Sequence, residues 1–203
     1  MIKKVTTTYF EQMDTDHGFH YTFEPIENSI KIIEKKAFYI TQDSYPESPD
    51  ELRDNGLFLV FYHNDFMVRR DDLVSKQELV NWANDDDSSI EENYYIFGVE
   101  AYIHGEVVLA FRHQGNFPDR QWDVSFAGAI LASKKEFPNE ESARKAAKGL
   151  LQDWNCYLSG DVYGLVAEKF DEEGKSINCD SCWGYAGFEY VSKELEKMYE
   201  AEM

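Results

Sequence analysis

The chain has 203 residues, 43% of them hydrophobic and 15% aromatic, which supports one sizeable core or two small ones and excludes a disordered acidic tail. Its 39 acidic residues against 20 basic give a net charge of −19, a field that repels nucleic acid and anionic membrane and attracts basic surfaces. No apolar run approaches the roughly 20 residues of a membrane span. The opening MIKKVTTTYFEQMD has no apolar stretch of the kind a signal peptide needs, and three cysteines suit a reducing cytoplasm better than a disulfide scaffold.

Residues 2–9, IKKVTTTY, are rich in β-branched side chains and read as a strand, and HGFHYTFEP as a second short extended piece. NSIKIIEKKAFYI favours a strand near its end. Thr41 to Gly56 has two prolines and many turn formers and reads as a surface loop. LFLVFYH, Leu57 to His63, is a continuous apolar run of strand length, which predicts a central strand buried on both faces. Ser75 and Glu78 form an S-x-x-E capping box that opens the helix KQELVNWAN, with Leu79, Val80 and Trp82 on its buried side. That helix empties into NDDDSSIEE, Asn84 to Glu92, with five acids in nine residues. From Thr41 to Asn93 there are 14 acids against 4 bases, so about a quarter of the chain carries −10 of the excess.

YYIFGVEAYIHGEVVLAFRH predicts a hairpin turning at His104 and Gly105. QWDVSFAGAILAS, Gln121 to Ser133, predicts a strand whose small residues Ala127 to Ala129 allow close backbone approach. PNEESARKAAKGLLQDWNCYLSG predicts a helix started by Pro138 and Asn139, with Glu140 and Glu141 at its positive end and Gly160 as its stop. Ala146, Leu150, Trp154 and Leu158 lie along or near its apolar stripe. DVYGLVAEKF and INCDSCWGY predict a second hairpin around DEEGKS, and FEYVSKELEKMYEAEM an amphipathic helix with Phe188, Val191, Leu195 and Met198 facing in. The expectation is an α+β fold, with antiparallel sheet or sheets, two or three packed helices and a C-terminal hairpin–helix–hairpin–helix order. An acidic strand-rich region 1–93 then precedes an α+β region 94–203, unless the two form one continuous domain.

Residues for chemistry are sparse. Cys179 and Cys182 form one C-x-x-C with no second knuckle, and Cys156 is distant. A zinc site needs four ligands, and a redox pair needs its first cysteine at a helix N-terminus. On a regular strand, residues three apart point to opposite faces, which would separate the two thiols. Structural, metal and redox readings of the pair all remain open. His17 and His20 lie near Asp14 and Asp16 without completing a metal motif. His104 reads as a turn residue beside Gly105. G-x-S-x-G, P-loop and G-x-G-x-x-G motifs are absent. Lysine and arginine are dispersed, so direct nucleic-acid binding is not expected.

YLSGDVYGLVAEKFDEEGKSINCDSCWGYAG, Tyr157 to Gly187, resembles a C-terminal segment that recurs in small proteins of phages and other mobile elements. There an L-x-G-D/E-V-Y-G strand pairs with a D-S-C-W-G strand. The resemblance spans about 30 residues and carries over no catalytic residue. It implies a mobile-element origin. Small acidic phage proteins without catalytic motifs are similar to anti-CRISPR and anti-restriction inhibitors, some of which present carboxylates in place of phosphates. By that analogy the chain is expected to be a non-enzymatic inhibitor in the host cytoplasm, with neither metal nor cofactor. Its partner would be a host DNA- or RNA-binding protein with a basic surface, a defence nuclease above all. The expected contacts are Asp85, Asp86, Asp87, Glu91 and Glu92, with Asp71, Asp72 and Glu78 on or beside the preceding helix and Trp82 and Tyr94 as anchors. Two other expectations stand beside it. One is a metal- or thiol-dependent enzyme built on Cys156, Cys179 and Cys182 or on His17 and His20. The other is a self-associating phage accessory protein.

Overall fold

The structure, a computed structural model, describes residues 12–13, 20–21, 25–50, 55–62, 67–68, 72–84, 89–118 and 120–203. The expected strand at 2–9 lies outside these. In chain order the elements are β1 (Gln12–Met13), β2 (His20–Tyr21), β3 (Pro25–Ile33), β4 (Lys36–Gln42), β5 (Leu57–Tyr62), β6 (Met67–Val68), α1 (Lys76–Ala83) and α2 (Ile90–Asn93). Then come β7 (Tyr94–Ile103), β8 (Val107–Phe111), α3 (Arg120–Asp123), β9 (Val124–Ser133), α4 (Glu140–Ser159), β10 (Val162–Phe170), β11 (Ser176–Ala186) and α5 (Phe188–Glu202). The class is α+β, and the strand pairs are antiparallel. The chain divides into two compact units, residues 1–46 with 160–203, and residues 47–159. Residue 93 lies inside the second unit, because α2 runs directly into β7.

The 47–159 unit is built on a five-stranded sheet in the order β6-β5-β9-β7-β8. The apolar run of β5 is buried on both faces, as its lack of alternation implies. Leu57, Leu59 and Phe61 join Phe97, Val99, Ile130 and the α4 residues Ala143, Ala147, Leu150, Leu151 and Trp154 in one cluster. Val60 joins Ala129, Leu131, Val74, Leu79 and Ile90 in the cluster beneath α1 and α2. The sheet is thus sandwiched between α4 and the two short helices. Gly128 sits where β9 crosses β5, and a Cβ there would collide with the Val60 carbonyl. Asn139 caps α4, its Oδ1 accepting from the Ser142 amide at 2.9 Å. Asn155 on α4 reaches the outer strand β8, accepting from the Leu109 amide at 2.7 Å and donating to its carbonyl at 2.9 Å. That amide fills a main-chain pair which an edge strand would otherwise leave open.

The other unit has a four-stranded sheet in the order β11-β10-β4-β3. β4 pairs with β10 from Gln42–Tyr163 to Lys36–Lys169, joining chain segments about 120 residues apart. α5 packs Val191 and Leu195 against Phe38, Ile40 and Leu165 on one face. Gly187 precedes α5 with φ 91°, a left-handed turn that glycine makes without strain, so β11 can pass straight into the helix. The opposite face holds Ala37, Tyr39 and Val166, with Phe170 and Cys179 beside them.

Candidate functional site

The densest acidic run is entered from α1. The Ser75 hydroxyl accepts from the Glu78 amide at 3.2 Å, and the Glu78 carboxylate accepts from the Ser75 amide at 2.9 Å, which completes the capping box. The Ser75 amide, and then its hydroxyl, hold the Glu78 carboxyl below the usual glutamate range. This expected contact is therefore committed to holding its own helix. Leu79 plugs α1 into the sheet, a burial worth about 2 kcal/mol. Trp82 Nε1 donates to Glu91 Oε1 at 2.9 Å, linking α1 to α2 across the acidic run. Lys134 Nζ donates to the Glu91 carbonyl at 2.5 Å. Ile90 is buried beneath α2.

Asn84 at the start of the run and Glu91 and Glu92 at its end are thereby held on one face of the sheet. Of the expected contacts, Glu91 and Glu92 on α2 and Asp72 before α1 are exposed. Trp82 and Tyr94 are half-buried and pack against the cluster of Val60, Leu79 and Leu131. Asp71, Asp85, Asp86 and Asp87 lie outside the described residues.

A second constellation in this unit escaped the sequence reading. Glu100 on β7 is only 3% exposed. Arg120 on α3 grips it with both terminal guanidinium nitrogens, Nη1 at 2.8 Å from Oε1 and Nη2 on Oε2. The His113 and Gly115 amides donate to the same carboxylate at 3.0 and 3.2 Å. Burial pushes the Glu100 carboxyl up, but Arg120 and the two amides together outweigh it and hold the group below the usual range. Beside this clamp the ring of Tyr102 stacks between Phe117 and His104, with centroids 5.1 and 6.1 Å away. His104 Nδ1 is 3.1 Å from Asp123 Oδ2, so His104 is a contact residue and more than a turn former. Between Arg120 and Asp123, Trp122 is 80% exposed. A tryptophan among polar residues, PDRQWD, was the only sequence signal for this ledge.

The C-x-x-C is resolved by register. Cys179 pairs with Glu168 and Cys182 with Leu165, three positions apart on β10 and so on opposite faces of the sheet. Cys179 packs beside Tyr39 and Val166. Cys182 bonds the Tyr185 hydroxyl, whose own proton is held up to about 12, chiefly by burial. Burial, then the charges of Glu168 and Asp180, push the Cys179 thiol up, which is the reverse of an activated thiolate. Among the described residues no three His, Cys, Asp or Glu side chains group as a metal site. His17 lies outside the described residues. No helix among the described residues is long and apolar enough to cross a membrane. The chain matches no family model, no curated protein and no solved structure.

Proposed function

We propose that this chain is a phage-encoded, cytoplasmic inhibitor that binds the basic surface of a host nucleic-acid-handling defence protein. The observation that carries the reading is the acidic segment of residues 41–93, which holds −10 of the −19 net charge. Its densest run is tethered at both ends by α1, α2 and the Trp82–Glu91 bridge. A tethered run loses less entropy on docking than a free acidic tail. In this reading its carboxylates take the place of phosphates on the partner's nucleic-acid-binding surface, and the field of the whole chain steers a basic partner in. Glu78 acts from within its cap, and Trp82 and Tyr94 support the surface from beneath.

The test is protection of phage in a bacterial host with active restriction or CRISPR immunity. Expression of the chain should raise phage plating efficiency. A variant with Asp85→Asn, Asp86→Asn, Asp87→Asn, Glu91→Gln and Glu92→Gln should lose that protection. Glutamine at position 91 keeps an acceptor for the Trp82 indole, so the fold is retained. No effect of the unaltered chain, or full protection by the neutralised one, would overturn the proposal.

A further inference from the structure

We infer that Trp122 is a second, aromatic anchor for the same basic partner, seated on an arginine of that protein. The inference rests on the inhibitor reading and names a surface which that reading does not use. At 80% exposure, Trp122 presents a large apolar side chain that water solvates poorly. The backbone beneath it is fixed from two sides, by the Arg120–Glu100 clamp and by the His104–Asp123 contact. The stacked, half-buried rings of Phe117 and Tyr102 support the same ledge. An exposed indole is among the side chains most enriched where binding energy concentrates, and on a backbone already fixed little main-chain ordering is left at docking.

Charge selects the occupant. A second copy would bring another −19 to the contact, and nucleic acid or an anionic membrane is repelled in the same way. An indole face attracts cations, and it attracts the planar guanidinium more strongly than the ammonium because guanidinium both stacks and sheds water readily. The chain carries its own instances of the pairing, with Arg112 over the Phe126 ring at 5.4 Å and Arg144 over Phe97 at 4.8 Å.

The experiment titrates the full chain with poly-L-arginine and poly-L-lysine of equal length and follows binding by calorimetry. Three proteins are compared: unaltered, Trp122→Ala, and the five-acid neutralised variant. Trp122→Ala should weaken poly-L-arginine binding about tenfold and poly-L-lysine binding clearly less. Trp122→Phe should restore most of the loss. The neutralised variant should lose affinity for both polymers alike. Equal affinities of Trp122→Ala and unaltered chain for poly-L-arginine would overturn the inference while leaving the acidic-surface reading standing. Equal affinities of the neutralised variant and unaltered chain for both polymers would instead remove the acidic-surface reading, and with it the partner that the anchor serves. Sedimentation of the unaltered chain as a dimer that Trp122→Ala dissociates would also overturn the inference, by showing a second copy on the indole. Trp122 has little packing to lose, so the melting temperature of Trp122→Ala should match that of the unaltered chain.

Discussion

Each of the two units buries one glutamate on a strand, and the two are treated in opposite ways. Glu100 of the 47–159 unit is 3% exposed and meets a guanidinium and two backbone amides. Glu168 of the other unit is 5% exposed, meets no cation among the described residues, and receives hydrogen bonds from the Ser176 and Tyr39 hydroxyls, while its Oε1 accepts none from them. The first carboxyl is held below the usual range and the second is pushed above it, chiefly by burial. The Tyr39 hydroxyl is pushed up as well, by burial and then by the Glu168 charge. Burial alone therefore does not set the protonation of a buried acid. The charge and direction of its donors decide the sign.

Removing the cation breaks the comparison at its strongest point. Arg120→Ala leaves Glu100 buried without a counter-charge and releases α3. The expected loss is about 3 kcal/mol in urea unfolding, at the low end for a broken buried pair because the Arg120 side chain is 38% exposed and screened by water. A loss under a few tenths would show that the amides hold the carboxylate alone. Glu100→Gln is a gentler change. It keeps an oxygen for one of the two amides, turns an NH2 toward the other and loses the charge-assisted grip, which should cost about 2 kcal/mol. In the double variant the two losses should fall short of their sum, since both remove one interaction.

How much of this was legible in the sequence follows the range of each interaction. The Ser75 cap, the β5 run, α4 with its Asn139 start, the β7–β8 turn at His104–Gly105 and α5 are local patterns, and each lies where the spacing of residues put it. The segment 28–40 is ambiguous from its residues beyond a strand near its end. It is a hairpin whose turn places Glu34 at φ 49°, in a left-handed conformation that sequence spacing does not announce. QWDV began a predicted strand, yet residues 120–123 form a helical turn because Arg120 is drawn back to Glu100. The pairing of β4 with β10 and the Glu100–Arg120 clamp join residues far apart or out of any period, so they leave no periodic trace. The division of the chain follows the sheets, with one boundary in the proline-bearing 41–56 loop and the other at Gly160, and only the pairing of β4 with β10 shows that the chain returns to its first unit there. The candidate site splits likewise: the acidic run shows in composition, whereas the Trp122 ledge exists only through the clamp beneath it.

The smallest expected effect is the most pointed, because its sign is reversed. Glu168→Gln should stabilise the protein at neutral pH by about 1 kcal/mol, the scale on which a buried acceptor without a partner costs stability. The folded state binds the Glu168 proton more tightly than the unfolded chain does. Its contribution is therefore fully present below the ordinary glutamate value of 4.5 and is lost as pH rises through the raised folded-state value. Glutamine mimics the protonated form throughout, so the advantage of the variant should be absent at pH 4 and grow to a plateau above that window. Glu100→Gln and Glu168→Gln each remove one charge from the same −19 chain, so general relief of repulsion favours both alike. The difference between them at pH 8 then reports the two sites themselves. Urea midpoints for both variants at pH 4, 6 and 8 would measure it. If Glu168→Gln destabilised the protein at pH 8, the Tyr39 and Ser176 hydroxyls would be holding a carboxylate, and the contrast between the two buried acids would fail.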